Sequence, residues 1–192
     1  MAQGGREPRT LLVVGDSLSA EYGLPRGSGW VALLTQRLER ERLPWRVVNA
    51  SISGDTTSGG RARLPALLQQ HRPAAVVIEL GGNDALRGLP LASTEANLVA
   101  MTRAAKAAGA RVLLVGMQVP PNYGRQYTQD FERLFARAAQ AEQVALVPFL
   151  LAGVADGPDP VALFQPDRIH PKAEAQPRML DNVWPTLRKL LV

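Results

Sequence analysis

Two histidines, no cysteines and one well-placed serine bound the chemistry open to this chain. The lack of thiols removes disulfides, iron–sulfur clusters, thiolate zinc and cysteine nucleophiles together. A His-rich metal site is argued against in the same way, and imidazole chemistry has two candidates, His71 and His170. His71 precedes Arg72-Pro73 at the end of an expected helix, where a cation suits the dipole, which leaves His170 as the base. Asp167 stands three residues earlier, close enough for its carboxylate to fold back on one ring nitrogen and set tautomer and orientation. A serine hydroxyl is a poor nucleophile until a base takes its proton. Ser17, in Gly15-Asp16-Ser17-Leu18-Ser19, is the candidate. Ser51 and Ser53 are rivals, but neither follows Gly-Asp, and both are read as turn residues. A tetrahedral acyl intermediate also needs preorganised donors. The available set is the backbone N–H of Ser17, the backbone N–H of Gly54 and the side-chain amide of Asn83, in Gly81-Gly82-Asn83-Asp84. Asp84 is read as holding loops together.

These residues must be positioned by the elements around them. Apolar runs at Thr10–Val14, Trp45–Val48, Ala74–Leu80, Arg111–Val115 and Val144–Val147 read as strands. Amphipathic segments read as helices over Trp30–Arg42, over Arg61–Gln70 with an interruption at Pro65, from a cap at Ser93 or Thr94 to Ala108, and over Thr128–Glu142. Pro171 is expected to open a last helix with a break near Pro185. That would set His170 near a helix N-terminus, which favours the neutral imidazole a base needs. Continuous rather than alternating apolar strands indicate a parallel sheet covered on both faces. Right-handed crossovers then make a three-layer α/β/α sandwich. With strand order 2-1-3-4-5, strands two and three flank strand one, and their loops meet over Ser17. One domain over 1–192 is expected, with 1–9 as a flexible N-terminal extension and a monomeric state.

The composition fits this reading. Hydrophobic residues make up 46% and charged residues 20%, a soluble globular balance. The net charge is +5, but the arginines are interleaved with acids, as in Arg37-Leu38-Glu39-Arg40-Glu41-Arg42. Nucleic-acid binding wants a concentrated basic stripe, and none is present. No apolar run approaches the roughly 20 residues of a membrane span. Gly27-Ser28-Gly29-Trp30-Val31-Ala32 fits a dinucleotide pattern, but it starts well past the strand and no acid ends strand two, where Asn49 stands. A flavodoxin-like nucleotide or flavin module is therefore the weaker, non-enzymatic alternative.

Gly15-Asp16-Ser17-Leu18-Ser19, Gly54, Gly81-Gly82-Asn83-Asp84 and Asp167 with His170 together resemble the four blocks of the SGNH (GDSL) hydrolases. Leu86-Arg87-Gly88, Pro121-Asn122-Tyr123-Gly124-Arg125 and His170-Pro171 are similar to its bacterial multifunctional thioesterase and lysophospholipase branch, which includes arylesterases. The resemblance runs from about Leu11 to the last helix. It implies a Ser17–His170–Asp167 triad and an oxyanion hole from Ser17, Gly54 and Asn83. It further implies a flavodoxin-like sheet, no cofactor, and acyl ester or thioester substrates such as aryl esters, acyl-CoA and lysophospholipids. Gly82, Ile169 and the loop carrying Pro120, Pro121, Asn122 and Tyr123 are the substrate contacts it implies. A carbohydrate O-acetylesterase is the alternative within the same constellation. Two departures from the pattern are Glu21, where a small residue is common, and Arg168, where glycine is more usual; both bear on specificity rather than activity. Relatives with export leaders make a periplasmic enzyme the expectation if a leader was removed, and a cytoplasmic one if the sequence is complete.

Overall fold

The computed structural model describes residues 7–192 of the chain. Five parallel strands, β1 (Arg9–Gly15), β2 (Trp45–Asn49), β3 (Ala75–Glu79), β4 (Arg111–Val115) and β5 (Ala145–Val147), form one sheet in the order β2-β1-β3-β4-β5. Leu11 to Val14 and Ala75 to Ile78 are buried, as strands covered on both faces must be. Helices α1 (Trp30–Arg40) and α6 (Gln176–Leu191) pack together on one face. Helices α2 (Thr57–His71), α4 (Leu91–Ala107) and α5 (Arg125–Glu142) cover the other. The short α3 (Gly82–Leu86) follows β3 directly. The expected three-layer sandwich and strand order are therefore those of the molecule. Among the described residues, no helix is long and apolar enough to cross a membrane.

The helices adhere through apolar stripes. Trp30, Val31, Leu34 and Leu38 form the buried face of α1. Met179, Leu180, Val183, Trp184, Leu187 and Leu191 do the same for α6. Each such side chain stabilises the fold by about 1.5–3 kcal/mol on full burial.

Several boundaries differ from the sequence expectation. Helix α2 starts at Thr57 and passes through Pro65 unbroken, and α6 passes through Pro185. Both prolines are exposed, so the carbonyl each one frees can meet solvent, while Leu64, Leu68, Val183 and Leu187 keep the helices packed. Helix α4 begins at Leu91 after Pro90, and Thr94 is an interior residue rather than a cap. Helix α5 begins at Arg125. Pro171 opens no helix: it forms an antiparallel bridge with Phe164, a 3-10 turn spans Ala173–Ala175, and α6 starts only at Gln176. No α-helix N-terminus therefore begins beside His170. Of the expected extension over 1–9, residues 1–6 lie outside the described residues. Arg9 belongs to β1, donates to the Leu191 carbonyl at 3.1 Å and lies over the Trp45 ring at 4.3 Å.

Candidate active site

Every candidate group lies on a segment that follows the carboxyl end of a strand. Ser17 sits on the turn after β1. Asp16 builds that turn: its carbonyl accepts from the amides of Ser19 (3.1 Å) and Ala20 (3.0 Å), and its Oδ1 accepts from Leu18 N (3.0 Å). Gly15 has no room for a side chain, because a Cβ there would lie 2.9 Å from both Glu79 Oε1 and Ser19 Oγ.

The loop after β2 is held against this turn. Ile52 N donates to the Gly15 carbonyl at 3.0 Å. Arg63, on α2, clamps the loop from behind: its Nε donates to Asp55 Oδ2 at 2.8 Å and its Nη1 to the Ala50 carbonyl, while Nη2 reaches the Gly15 carbonyl at 3.4 Å. Gly54 has φ +82°, a left-handed conformation that favours glycine. Arg87 Nη2 donates to the Gly54 carbonyl at 2.8 Å, which fixes the peptide beside the candidate donor. Neither the Ser17 nor the Gly54 amide has an acceptor among the described residues. The hydroxyls of Ser51 and Ser53 make no turn hydrogen bond there either, contrary to expectation. Ser51 Oγ is buried without a partner, and it is the Ser51 amide that bonds to Asn49 Oδ1 at 3.2 Å.

After β3, Gly81 and Gly82 lead into α3 and carry Asn83. Asn83 Nδ2 donates to the Asp55 carbonyl at 3.0 Å and, more weakly, to Asp16 Oδ2 at 3.4 Å. The amide is thus held between the two neighbouring loops. Asp84 does hold loops: it accepts from Thr57 N (2.8 Å), Thr57 Oγ1 (2.5 Å) and Thr94 Oγ1 (2.9 Å), all buried.

His170 arrives on a hairpin between β5 and α6. Gln165 N bonds to the His170 carbonyl and Lys172 N to the Leu163 carbonyl, each at 2.7 Å. Arg168 has φ +58°, which accounts for the glycine expected there. The Asp167 carboxylate accepts from Ile169 N (2.9 Å), His170 N (3.0 Å) and His170 Nδ1 (2.5 Å). Burial pulls its pKa up, but these donors outweigh it and hold the group down at about 2. A carboxylate that stays ionised keeps the imidazole proton on Nδ1. Nε2 is then the bare nitrogen, and it lies 2.9 Å from Ser17 Oγ. The Tyr22 ring packs on His170 with centroids 4.3 Å apart.

Of the expected substrate contacts, Gly82 opens α3 next to Asn83, and Ile169 is exposed beside His170. Pro120 to Tyr123 lie beyond β4 in a 3-10 turn whose backbone bonds are internal, Tyr123 N to Pro120 and Gly124 N to Pro121. Tyr123 is anchored by stacking on Tyr127, with centroids 5.9 Å apart. Glu21 accepts from Gly27 N and Gly29 N, so it organises the entry to α1.

This geometry agrees with what the chain is similar to. Residues 13–177 match the model of the GDSL-like lipase/acylhydrolase family. The chain belongs to this family. Membership makes it a carboxylic ester hydrolase. It is 57% identical over 183 residues to esterase TesA of Pseudomonas aeruginosa, covering 95% of this chain and 90% of that protein. It is 43% identical to thioesterase 1/protease 1/lysophospholipase L1 of Escherichia coli K12, covering 95% and 85%. A crystal structure of TesA superposes with a TM-score of 0.92 at 57% identity, over 95% of this chain and 100% of that one. The psychrotrophic esterase EstA from Pseudoalteromonas superposes at 0.87 with 39% identity, over 94% and 97%.

Tyr22, Arg63, Arg87 and Glu79 were not singled out by residue type and spacing. Two of them left a signal: Glu79 is a charged residue inside an otherwise apolar strand, and Arg87 stands in the Leu86-Arg87-Gly88 motif.

Proposed function

We propose that Ser17 is the nucleophile, His170 the general base and acid, and Asp167 the group that orients and charge-balances the imidazole. The supporting observation is the relay from Asp167 through His170 to Ser17, with separations of 2.5 and 2.9 Å. The Ser17 hydroxyl gives its proton to His170 Nε2 as Oγ attacks the ester or thioester carbonyl. The oxygen of the tetrahedral intermediate is met by the amides of Ser17 and Gly54 and by Asn83 Nδ2. The imidazolium, balanced by Asp167, protonates the leaving alcohol or thiol, and an acyl-enzyme remains. Water, deprotonated by His170, then releases the acid.

The substrate class we infer is aryl and acyl esters, thioesters and lysophospholipids, the range spanned by the names of the relatives. Gly82, Ile169 and the Pro120–Tyr123 turn would line the acyl path. Interleaved surface charge supports a small-molecule hydrolase acting as a monomeric single domain without nucleic acid. The test is Ser17→Ala assayed on a nitrophenyl acyl ester beside thermal unfolding. Hydrolysis should vanish with the unfolding temperature kept, and a fluorophosphonate should label the parent protein at Ser17 alone. Undiminished turnover in the variant would overturn the assignment.

A further inference from the structure

Below the Ser17 turn lies a second carboxyl group to which the reaction scheme gives no part. Glu79 ends β3, in register with Gly15, and is completely buried. Its Oε1 is 2.6 Å from Ser19 Oγ, and Trp30 Nε1 is 3.2 Å from the same oxygen. An indole N–H can only donate. Ser19 Oγ therefore accepts from Trp30 and spends its one proton on Glu79 Oε1. That makes Oε1 an acceptor, so any proton Glu79 carries is on Oε2. No N–H or O–H of the described residues donates to the buried Oε2, and the side chain within hydrogen-bonding reach of this carboxyl besides Ser19 is Asp16.

The charged groups around this carboxyl decide its protonation. From the β1 turn comes Asp16, itself buried, the carboxylate whose field acts directly on Glu79. Farther out, Asp55 from the β2 loop and His170 from the hairpin act on Asp16. The cation nearby on α2, Arg63, is committed to Asp55, Ala50 and Gly15. No cation pairs with Glu79 among the described residues. Two adjacent buried carboxylates without a counter-ion cannot both stay ionised. Burial first, and Asp16 second, raise the Glu79 pKa well above its usual value, while burial lifts Asp16 only to about 6. The donors point the same way: Asp16 accepts from Leu18 N and Asn83 Nδ2, while Glu79 accepts only from Ser19 Oγ among the described residues, so the shared proton belongs to Glu79.

We propose that Glu79 is a positioning residue working as a neutral hydrogen-bond donor, its Oε2–H steadying the Asp16 carboxylate so that the Asn83 amide is left for the oxyanion. The consequence runs through Asp16. Its Oδ1 holds the Leu18 amide of the nucleophile turn, and its Oδ2 competes for Asn83 Nδ2 at 3.4 Å. A proton from Glu79 draws charge from that carboxylate and weakens its hold on Asn83. The inference rests on Ser17 and Asn83 having the roles proposed above, but its test does not.

Glutamine at 79 can keep both contacts, with its oxygen accepting from Ser19 and its amide donating to Asp16; leucine keeps neither. Glu79→Gln should retain kcat within about threefold. Glu79→Leu should lose kcat by about 10-fold or more with KM little changed, less than the roughly 10²–10³-fold of deleting an oxyanion donor itself. The infrared difference spectrum between parent and Glu79→Gln at neutral pH should show the carbonyl stretch of a protonated carboxyl. The proposal is overturned if that band is missing, if glutamine is as damaging as leucine, or if both variants turn over like the parent. Should Glu79→Leu fail to fold, the glutamine variant and the infrared band still decide. Both stand apart from Ser17→Ala, whose result depends only on the nucleophile.

Discussion

His170 Nε2 lies 2.9 Å from Ser17 Oγ although 153 residues separate them in the chain. The contact needs no helix dipole, because α6 starts only at Gln176. It is set by the hairpin bonds of Gln165 and Lys172 and by the three bonds that Asp167 accepts.

Asp167→Asn keeps the shape of that side chain but loses its charge and its command of the imidazole tautomer. We expect kcat to fall by about 10⁴-fold, the scale seen when a triad carboxylate becomes an amide. Steady-state kinetics on a nitrophenyl ester would check this, and a loss under tenfold would contradict the relay.

Asn83→Ala removes one oxyanion donor and should lower kcat by roughly 10²–10³-fold. KM should change little if the bond forms mainly in the transition state. A variant whose KM rises while kcat holds would place Asn83 in ground-state binding instead.

Asp84→Ala should act on stability. It strands the Thr57 amide and the buried Thr57 hydroxyl, and leaves the Thr94 hydroxyl only the Pro90 carbonyl at 3.5 Å. At about 1–3 kcal/mol for each buried group left unsatisfied, a loss of several kcal/mol is expected. Urea unfolding measures it, and a midpoint equal to the parent's would refute it.

Two aspartates give opposite acid dependences. Asp16, raised by burial to about 6 in the fold, binds its proton more tightly there than in the unfolded chain. Its contribution is thus greatest below about pH 3.8 and declines as pH climbs through 6. Asp167, held down at about 2, contributes fully above 3.8 and loses that contribution as pH falls through 2. Asp16→Asn should flatten the stability curve between pH 4 and 6, and Asp167→Asn should flatten it between 4 and 2. Unfolding midpoints across pH, compared with the parent, test both signs.

Tyr22→Ala uncovers one face of the His170 ring. Without that packing the imidazole should sample other rotamers, and kcat should fall by about tenfold or less, the cost of about 0.5–1.5 kcal/mol of aromatic contact. Leucine should restore part of it; equal kcat in parent, alanine and leucine variants would show the stack to be idle.

The layers and the candidate residues were legible in the sequence because each rests on local pattern, whereas the strand order entered as a condition and through the family resemblance. Five apolar runs joined by amphipathic segments admit few topologies, and Gly15-Asp16-Ser17, Gly81-Gly82-Asn83-Asp84 and Asp167 with His170 fall just where such strands end. Helix boundaries were less legible. Pro65 and Pro185 look like breaks along the chain, yet exposure of the prolines and burial of their neighbours keep α2 and α6 whole. What only the tertiary structure decided is which distant groups share a space. Arg63 behind the β2 loop, Tyr22 on the imidazole and the Glu79–Ser19–Trp30 chain under the nucleophile turn all join residues from separate elements. Periodicity records which face of an element is buried, not which polar atom waits on the other side. That pairing appears only when crossovers and packing bring the strand ends together.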